Sequence, residues 1–326
     1  MLISSAVEST KAMDLFEVAG DVQHHCSPPL SEIGLLVGIV AYNPCIERLH
    51  QLQELIHDDS VAICIIDNHS DNAKEIHSEF SGKDGVKVIL NADNRGVAAA
   101  VNQLVEYAIA CGIRHIMSVD QDSLFEKGYA RDMLRHFLAL EAKQPRLAAM
   151  GGKVFDIRKK RFERFVTFDL GWWNKAKEQQ LPYPYVGVDF LITSGTILSV
   201  KSIEQIGPMR EELFIDSVDL DWSFRARKLG FCLAGCETSH IYQNIGIGAV
   251  RVPILDINVR IHRSLRYYYM TRNRLFLYRQ PYVKWYWVAK DLPRSLLKLA
   301  FLAIVSPMRK QIIKEHARGM FDSFKL

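Results

Sequence analysis

Short apolar runs alternate with amphipathic segments between residues 35 and 120 of the chain. Residues 35–40 form a continuous apolar run, which is typical of a strand whose two faces are both covered. Two segments, 46–56 and 97–110, are predicted to be helices that lie between such runs. Three further strands are predicted, at 63–66, 86–90 and 113–119. Strands that alternate with helices indicate βαβ units, so the chain is predicted to be an α/β protein with a mostly parallel sheet.

The same pattern divides the chain into three regions. Residues 1–33 show no sustained period and end in Ser27-Pro28-Pro29, so they are predicted to be a flexible N-terminal arm. Residues 34–280 hold the α/β pattern, although longer loops interrupt it between about 148 and 236. Residues 281–326 are predicted to form a basic amphipathic helical C-terminal extension. Its most apolar stretch, Leu296–Val305, contains Lys298 and is too short to span a membrane.

Charge is distributed unevenly along the chain. The formal net charge of the 326 residues is +4. Between Ile257 and Arg318, 14 lysines and arginines stand against two acidic residues, a charge of +12, so the rest of the chain carries about −8. Trp285, Trp287 and several leucines lie among the basic residues, a mixture that favours helices at an anionic membrane surface. A helical subdomain that packs against the core would explain the apolar positions equally well.

Composition and motifs argue against several classes of protein. A nucleic-acid partner is not expected, because the basic segment has no nucleic-acid-binding motif and the acidic remainder would repel phosphate backbones. No G-x-G-x-x-G follows the first strand and no G-x-x-x-x-G-K-[ST] occurs, which argues against dinucleotide dehydrogenases and P-loop NTPases. The six scattered cysteines are predicted to be free thiols in a reducing compartment, since no C-x-x-C pair supports a zinc site.

Two carboxylates follow the fourth predicted strand directly. Asp120 and Asp122 stand two residues apart, at the point where an apolar strand becomes a loop. Ligands of open α/β sheets bind at the carboxyl ends of the strands. Carboxylate oxygens are also suited to a hard divalent cation that substrate phosphates help to hold. The segment therefore predicts a metal and phosphate site, although most such triplets are solvated turns.

The ends of the earlier strands carry polar residues of a kind that a nucleotide requires. Tyr42 and Asn43 follow the first strand, and Asp67 ends the second. Asn94 and Gly96 precede the next helix. A glycine there permits close approach to the helix N-terminus, whose positive end favours phosphate. Singly, these residues are more often turn formers than ligands, but their placement at successive strand ends predicts a nucleotide site.

A series of segments in a fixed order resembles the inverting glycosyltransferases of family 2, which have the GT-A fold. Within that family, the chain is most similar to bacterial rhamnosyltransferases of O-antigen and polysaccharide assembly. The resemblance covers about residues 35–279. The segments that carry it are Ala41–Pro44, Ile66–Ser70, Asn94–Asn102, Asp120–Ser123, Ile192–Thr196, Phe214–Trp222 and Arg266–Arg274.

The resemblance implies a nucleotide-sugar donor and a role for each matching residue. Asp67 is expected to contact the nucleobase, and Asn94 with Arg95 to line the base and phosphate pocket. Asp120 is expected to reach the ribose and metal region. Asp122 is expected to bind Mg²⁺ or Mn²⁺, which stabilises charge on the leaving group. The residues implied to bind the donor are Tyr42, Asn43, Asp67, Asn94, Arg95, Gly96 and Asp120.

The resemblance also implies a catalytic base, since inversion needs a group that accepts the proton of the acceptor hydroxyl. Alignment on the segment 225–231 assigns this role to Asp219. The family's preceding glutamate is replaced by Val218, so Asp216 and Asp221 remain rivals. Asp219 is also a suitable cap for a helix that begins near Leu220.

His240 is expected to complete the metal site, and four residues are assigned to the acceptor side of the site. These four are Ser194, Gly195, Asp221 and Trp222. Trp172, Trp173 and Trp222 are candidates for stacking on sugar rings, with core packing as the default interpretation.

The implied reaction moves L-rhamnose from dTDP-rhamnose to a lipid-linked glycan, at the cytoplasmic face of the bacterial plasma membrane. A UDP-sugar donor, carrying galactofuranose, glucose or an N-acetylhexosamine, is the main alternative, because a single methyl group separates thymine from uracil. A further alternative is that the protein is a non-catalytic scaffold that binds a nucleotide sugar.

Overall fold

The computed structural model describes residues 34–168, 181–243, 248–252, 257–261, 264–306 and 308–326. The predicted N-terminal arm, residues 1–33, lies outside this range, as do Trp172 and Trp173. The strands are β1 (Leu35–Ala41), β2 (Val61–Asp67), β3 (Val86–Leu90), β4 (His115–Asp120), β5 (Leu124–Phe125), β6 (Leu147–Asp156), β7 (Arg161–Phe162), β8 (Tyr185–Val188), β9 (Thr196–Ser199), β10 (Cys232–Gln243), β11 (Gly248–Val252) and β12 (Ile257–Ile261). The helices are α1 (Ile46–Ile56), α2 (Ala73–Phe80), α3 (Gly96–Ala110), α4 (Tyr129–Glu141), α5 (Val200–Ile206), α6 (Val218–Lys228), α7 (Ser264–Tyr278), α8 (Trp285–Val305) and α9 (Arg309–Asp322).

The strands and helices predicted in the first 120 residues are confirmed, each to within two residues at either end. Ten of the described strands form one mixed sheet with the order β3-β2-β1-β4-β9-β6-β10-β5, in which β7 adds to β6 and β8 to β10. Strands β3, β2, β1 and β4 are parallel, and β9 is antiparallel to both of its neighbours. The predicted α/β class is therefore confirmed, and the antiparallel strands account for the broken rhythm after residue 148.

The continuous apolar run of β1 is explained by burial on both faces of the sheet. Leu36 and Val40 belong to a core shared with α3, whereas the alternate residues Leu35, Val37 and Ile39 pack with α1, α2 and α4. Gly38 lies on the α3 side, where a Cβ would stand 2.5 Å from the side chain of Leu104. That glycine lets the helix approach the strand closely.

The C-terminal helices pack against each other and against the sheet domain. Trp287 of α8 is buried, and its ring contacts Phe168 and Phe224. Tyr267 of α7 forms a separate, third apolar cluster with Leu302 of α8 and Ile312 of α9. Helix α7 therefore joins the two regions, although the sequence assigned it to the domain that ends at residue 280. Among the described residues, no helix is long and apolar enough to cross a membrane.

Candidate active site

The carboxyl ends of β2, β1 and β4 lie side by side at one edge of the sheet. In the register of these parallel strands, Ala41 stands opposite Asp67 and Val40 stands opposite Asp120. The loops that follow the three strands are thereby brought together, as expected for the ligand-binding edge of an α/β sheet. The candidate donor residues near residues 42, 67 and 120 are thus neighbours in space.

The loop after β1 is held in shape by side chains of the neighbouring loops. Gln121 accepts a hydrogen bond from the backbone N–H of Tyr42 at 2.7 Å and donates one to its carbonyl at 3.1 Å. Asn43 adopts a left-handed backbone conformation with φ of 48°, and its Oδ1 accepts from the N–H of Asp71 at 2.7 Å. The ring of Tyr42 stays about half exposed, so it is available to contact a ligand at this edge.

Asp67 does not face the opening, contrary to its assigned contact with a nucleobase. Its side chain is fully buried. One carboxylate oxygen accepts from the hydroxyl of Ser70 and the other from the N–H of Ser70 at 3.0 Å. Asp67 therefore shapes the turn after β2, because both of its oxygens are engaged there.

The start of α3 is also occupied by protein, which corrects the prediction that Gly96 opens it to phosphate. The carbonyl oxygen of Phe214 accepts from the N–H of Val97 at 2.8 Å and lies 3.5 Å from that of Ala98. A Cβ at Gly96, whose φ is +80°, would stand 2.4 Å from that same carbonyl oxygen. The glycine thus permits close approach by the loop around Phe214 rather than by a ligand.

The two residues before Gly96 hold the same junction. Asn94 Oδ1 accepts from the N–H of Gly96 at 3.0 Å. Arg95 lies 3.3 Å from a carboxylate oxygen of Glu211. Both of these side chains are about 43% exposed, so solvent screens this ion pair. Arg95 therefore remains able to turn toward an anionic ligand, whereas Asn94 is a turn residue here.

Ser194 and Gly195 brace the Asp120 segment, and both are buried. The hydroxyl of Ser194 accepts from the N–H of Asp120 at 3.0 Å and lies 2.8 Å from the hydroxyl of Ser123. A Cβ at Gly195 would stand 2.7 Å from Ile241. In this structure both residues support the backbone around Asp120, and their assignment to the acceptor side stays a prediction.

Three carboxylates gather around Arg266, the third residue of α7. The guanidinium of Arg266 binds both carboxylate oxygens of Asp216, at 2.9 and 3.0 Å. Its charge also acts on Asp120 and Asp219. Because β4 supplies Asp120 and α6 supplies Asp219, Arg266 connects the donor edge of the sheet with the candidate base.

Burial and the negative charges of neighbouring carboxylates raise the pKa values of two of these carboxyl groups. Burial, followed by the charge of Asp122, raises the pKa of Asp120 to about 6. Burial, with the charges of Asp216 and Asp120, raises the pKa of Asp219 to about 7. A carboxylate with a pKa near neutrality is a stronger base than an ordinary aspartate and is therefore a candidate for proton abstraction.

The loop that presents Asp219 has a strained backbone. Phe214, Asp216 and Ser217 all have φ between 61° and 65°, a region that L residues seldom adopt. Helix α6 begins at Val218 with Ser217 as its N-cap, so Asp219 lies in the first turn and is not the cap. Its Oδ1 accepts from the N–H of Leu220 at 2.9 Å.

Asn273 of α7 holds this strained loop in place. It is fully buried, and its Nδ2 lies 2.7–2.8 Å from the carbonyl oxygens of Leu213, Ile215 and Asp216. Neither Arg266 nor Asn273 was selected as a site residue from the sequence. The signal that could have found them is the segment Arg266–Arg274, which is one of the segments on which the resemblance rests.

Asp221 and Trp222 lie inside the protein and are removed from the acceptor side. Asp221 is fully buried and accepts from Arg225 Nε at 2.8 Å and from the hydroxyl of Tyr282. Trp222 is 2% exposed, and its Nε1 donates to the carbonyl of Gly207 at 3.1 Å. The carboxylate of Asp221 is buried and engaged by Arg225 and Tyr282, which disfavours Asp221 as the base.

His240 does not stand with the Asp120–Asp122 pair in a shared metal site. Its Nδ1 lies 3.5 Å from a carboxylate oxygen of Glu126, and its ring packs against Phe162 at 4.8 Å between centroids. In the described parts of the chain, no group of three or more His, Cys, Asp or Glu side chains is placed to hold a metal ion. The role of His240 as a metal ligand therefore stays a prediction, and in this structure its ring contacts Glu126 and Phe162.

Comparison with known proteins identifies the class to which this fold and site belong. Residues 37–207, just over half of the chain, match the sequence profile of Glycosyl transferase family 2. The chain therefore belongs to glycosyl transferase family 2 and is a glycosyltransferase. A curated relative, dTDP-rhamnosyl transferase RfbF of Shigella flexneri, is 26% identical over 295 residues, which is 88% of this chain and 94% of that protein.

Solved structures share the GT-A fold with this chain. GalNAc-T7, crystallised with UDP, GalNAc and Mn²⁺, superposes with a TM-score of 0.55 at 12% identity over 90% of this chain and 56% of its own. Residues 1–349 of TarS from S. aureus, in complex with UDP-GlcNAc, superpose with a TM-score of 0.52 at 13% identity over 89% of this chain and 81% of theirs. At these identities the likeness establishes the fold, and this chain spans little more than half of the GalNAc-T7 chain.

Proposed function

We propose that the protein transfers L-rhamnose from dTDP-rhamnose to a lipid-linked glycan, with inversion, in the synthesis of a bacterial surface polysaccharide such as an O-antigen. The observation that carries this proposal is the cluster of Asp120, Asp216 and Asp219 around Arg266 at the ligand edge of the sheet. The choice of sugar is supported by the similarity to RfbF along most of both chains.

Asp219 is the proposed base. In an in-line displacement, its carboxylate takes the proton of the acceptor hydroxyl while the hydroxyl oxygen bonds to the anomeric carbon and the nucleoside diphosphate departs from the opposite face. Asp216, the remaining rival, is occupied by the two bonds from Arg266. Because Arg266 is positively charged next to Asp216 and near Asp219, it favours the ionised form that accepts the proton.

The Asp120–Asp122 pair has the chemistry that Mg²⁺ or Mn²⁺ requires. Asp122 is exposed, and among the described residues its carboxylate has no hydrogen-bond or ion-pair partner. It is close enough to Asp120 for its charge to raise the pKa of Asp120, which is the repulsion that a bound cation relieves. Asp122, supported by Asp120, would hold the ion, and when bound the ion supplies positive charge against the leaving diphosphate.

A panel of nucleotide sugars tests the proposed donor without knowledge of the acceptor. The purified protein is expected to hydrolyse dTDP-rhamnose slowly in the presence of Mg²⁺ or Mn²⁺, with EDTA abolishing the reaction. UDP-galactofuranose, UDP-glucose and UDP-N-acetylhexosamines serve as the matched alternatives, and release of nucleoside diphosphate is measured. Preference for a UDP-sugar would replace the proposed donor, and full activity in EDTA would remove the metal from the proposal.

We propose further that α8 and α9 dock the protein on the cytoplasmic face of the plasma membrane. Helix α8 exposes Leu296, Leu297 and Ile304 at 57–74%, and α9 exposes Phe321 and, just beyond its end, Phe324 at about 80%. These side chains, with the exposed Leu292, Ile313 and Met320, are called the C-terminal face. Basic residues accompany it on the same helices. They are Arg294, Lys298, Arg309, Lys310, Lys314 and Arg318. An apolar surface accompanied by cations fits an anionic bilayer.

Liposome flotation tests the docking. The full chain is expected to float with anionic liposomes at low salt and to float less at high salt. It is not expected to bind neutral liposomes at either salt concentration. The reason is that each lysine or arginine near an anionic surface contributes on the order of 1 kcal/mol, an attraction that salt screens. Absence of binding to anionic liposomes at low salt would contradict the proposed membrane docking, and α8 and α9 would then be only packed helices of the fold.

A further inference from the structure

A cavity of about 240 Å³ lies between α7, α8 and α9, outside the catalytic cluster. Its lining is mainly apolar and comes from all three helices. The apolar side chains include Tyr267, Met270, Leu275, Leu299, Leu302 and Met320. In other proteins an apolar cavity of about 150 Å³ stays dry and binds benzene. This cavity is large enough for a stretch of hydrocarbon chain.

The polar groups that line the cavity leave it with little charge in its interior. Arg274 is paired with Asp291, at 2.8 Å between Nε and a carboxylate oxygen. Burial, together with the charge of Lys298, lowers the pKa of His316 to about 4, so its ring is neutral at physiological pH. The interior therefore suits an apolar ligand.

The cavity opens toward the C-terminal face. Leu292 and Leu296 of α8 and Met320 of α9 line the cavity and are also 38%, 57% and 52% exposed. The same side chains therefore belong both to the apolar surface and to the cavity wall. An apolar chain that leaves a bilayer at this surface would meet Leu292, Leu296 and Met320 at the cavity wall.

We infer that this cavity binds one apolar chain of a lipid that carries a phosphate group. The mouth lies on the apolar C-terminal face, and the lining is hydrocarbon from three helices. Basic residues on the same helices, among them Arg294, Arg309 and Lys310, provide charge complementary to phosphate. Two sources share this chemistry: the prenyl chain of the lipid-linked acceptor and the acyl chain of a bulk phospholipid. Naming a lipid-linked acceptor rests on the proposed function, whereas the cavity itself does not.

Binding of soluble lipid phosphates tests the inference. The full-length protein is titrated calorimetrically with farnesyl phosphate and with dodecyl phosphate, each kept below the concentration at which it aggregates, and with inorganic phosphate. At least one lipid phosphate is expected to bind saturably, at least tenfold more tightly than inorganic phosphate. Tighter binding of farnesyl phosphate assigns the cavity to the acceptor, and equal or tighter binding of dodecyl phosphate assigns it to a phospholipid.

Two tryptophan variants on the same helix provide the matched comparison. Leu296 lines the cavity, whereas the adjacent Leu297 is 71% exposed and does not. Leu296→Trp is expected to plug the mouth and weaken lipid phosphate at least tenfold, and Leu297→Trp to change it less than twofold. Equal loss in both variants, unchanged affinity in Leu296→Trp, or binding of inorganic phosphate as tight as that of the lipids would overturn the inference.

Hydrolysis of dTDP-rhamnose separates this inference from the proposed function. Leu296→Trp is expected to hydrolyse the donor at the wild-type rate, because Leu296 belongs to the C-terminal helices and not to the carboxylate cluster. A protein that binds lipid phosphate but hydrolyses no nucleotide sugar would contradict the proposed function and leave the lipid site standing. A protein that hydrolyses the donor but binds neither lipid phosphate would contradict the lipid site and leave the proposed function unaffected.

Discussion

Asp219→Asn is expected to lower the rate of sugar transfer by roughly 10²–10⁴-fold, the usual contribution of a general base. Asparagine keeps the shape of the side chain and its acceptor oxygen toward the N–H of Leu220, but it cannot take a proton. Donor affinity should stay nearly unchanged, since the base acts on the acceptor hydroxyl. The measurements are steady-state rates, by donor hydrolysis until the acceptor is known, and calorimetric titration with dTDP.

The pH profile gives a second readout of the same variant. Because burial first, and then neighbouring charges, raise the pKa of Asp219 to about 7, the group is largely protonated below that pH and cannot act as a base. The wild-type rate should therefore rise with pH through about 7 and level off above it. The residual rate of Asp219→Asn should lack this limb.

The thermal stability of Asp219→Asn shows whether its lower rate comes from loss of the base or from unfolding of the protein. A carboxyl whose pKa is raised on folding costs stability as the pH rises from its unfolded pKa, about 4, through its folded pKa, about 7. Asp219→Asn removes that cost, so its thermal unfolding temperature at pH 8 should be at least that of the wild type. Full activity of Asp219→Asn beside an inactive, folded Asp216→Asn would transfer the role of base to Asp216.

Local patterns in the sequence were sufficient for the sheet and for the position of its functional edge. Every residue of the run 35–40 is apolar or glycine because β1 is covered on both faces of the sheet. The segments on either side of it have lengths typical of one helix or one strand. Asp120 and Asp122 were found because the apolar strand ends immediately before them. These features depend on neighbours within a few residues.

The contacts that form the cluster depend on distant residues, and for that reason the pattern did not reveal them. Gly96 was interpreted as a place for phosphate, yet the carbonyl of Phe214, more than a hundred residues away, occupies it. Arg266 reaches Asp216 from α7 across fifty residues. Ser194 carries its hydroxyl to the backbone of Asp120, so a polar residue that seemed placed for a ligand supports the site instead.

Burial was the second property that the sequence could not supply. Asp67 and Asp221 are both acidic residues in matching segments, and both are fully buried with their oxygens bonded to protein. Asp219 lies two residues before Asp221 on the same helix and remains partly accessible. A helical turn rotates adjacent side chains by about 100°, so neighbours in sequence point into the core or toward the site according to the packing of α6.

Asp122→Ala is expected to abolish detectable transfer. If Asp122 holds the divalent cation, its loss removes the positive charge that stabilises the departing diphosphate, an effect worth several kcal/mol and therefore about 10³-fold or more in rate. Binding of dTDP should weaken in Mg²⁺ and become equal to its affinity in EDTA. The measurements are donor hydrolysis and calorimetric titration with dTDP in each buffer.

His240→Ala is the comparison that decides between the sequence and the structure at this site. The sequence assigned His240 to the metal, whereas the structure places its ring between Glu126 and Phe162. If the structural interpretation is right, His240→Ala should still bind dTDP more tightly in Mg²⁺ than in EDTA. Asp122→Ala should lose this difference. If both variants lose it equally, His240 binds the metal when the donor is present, as the sequence predicts.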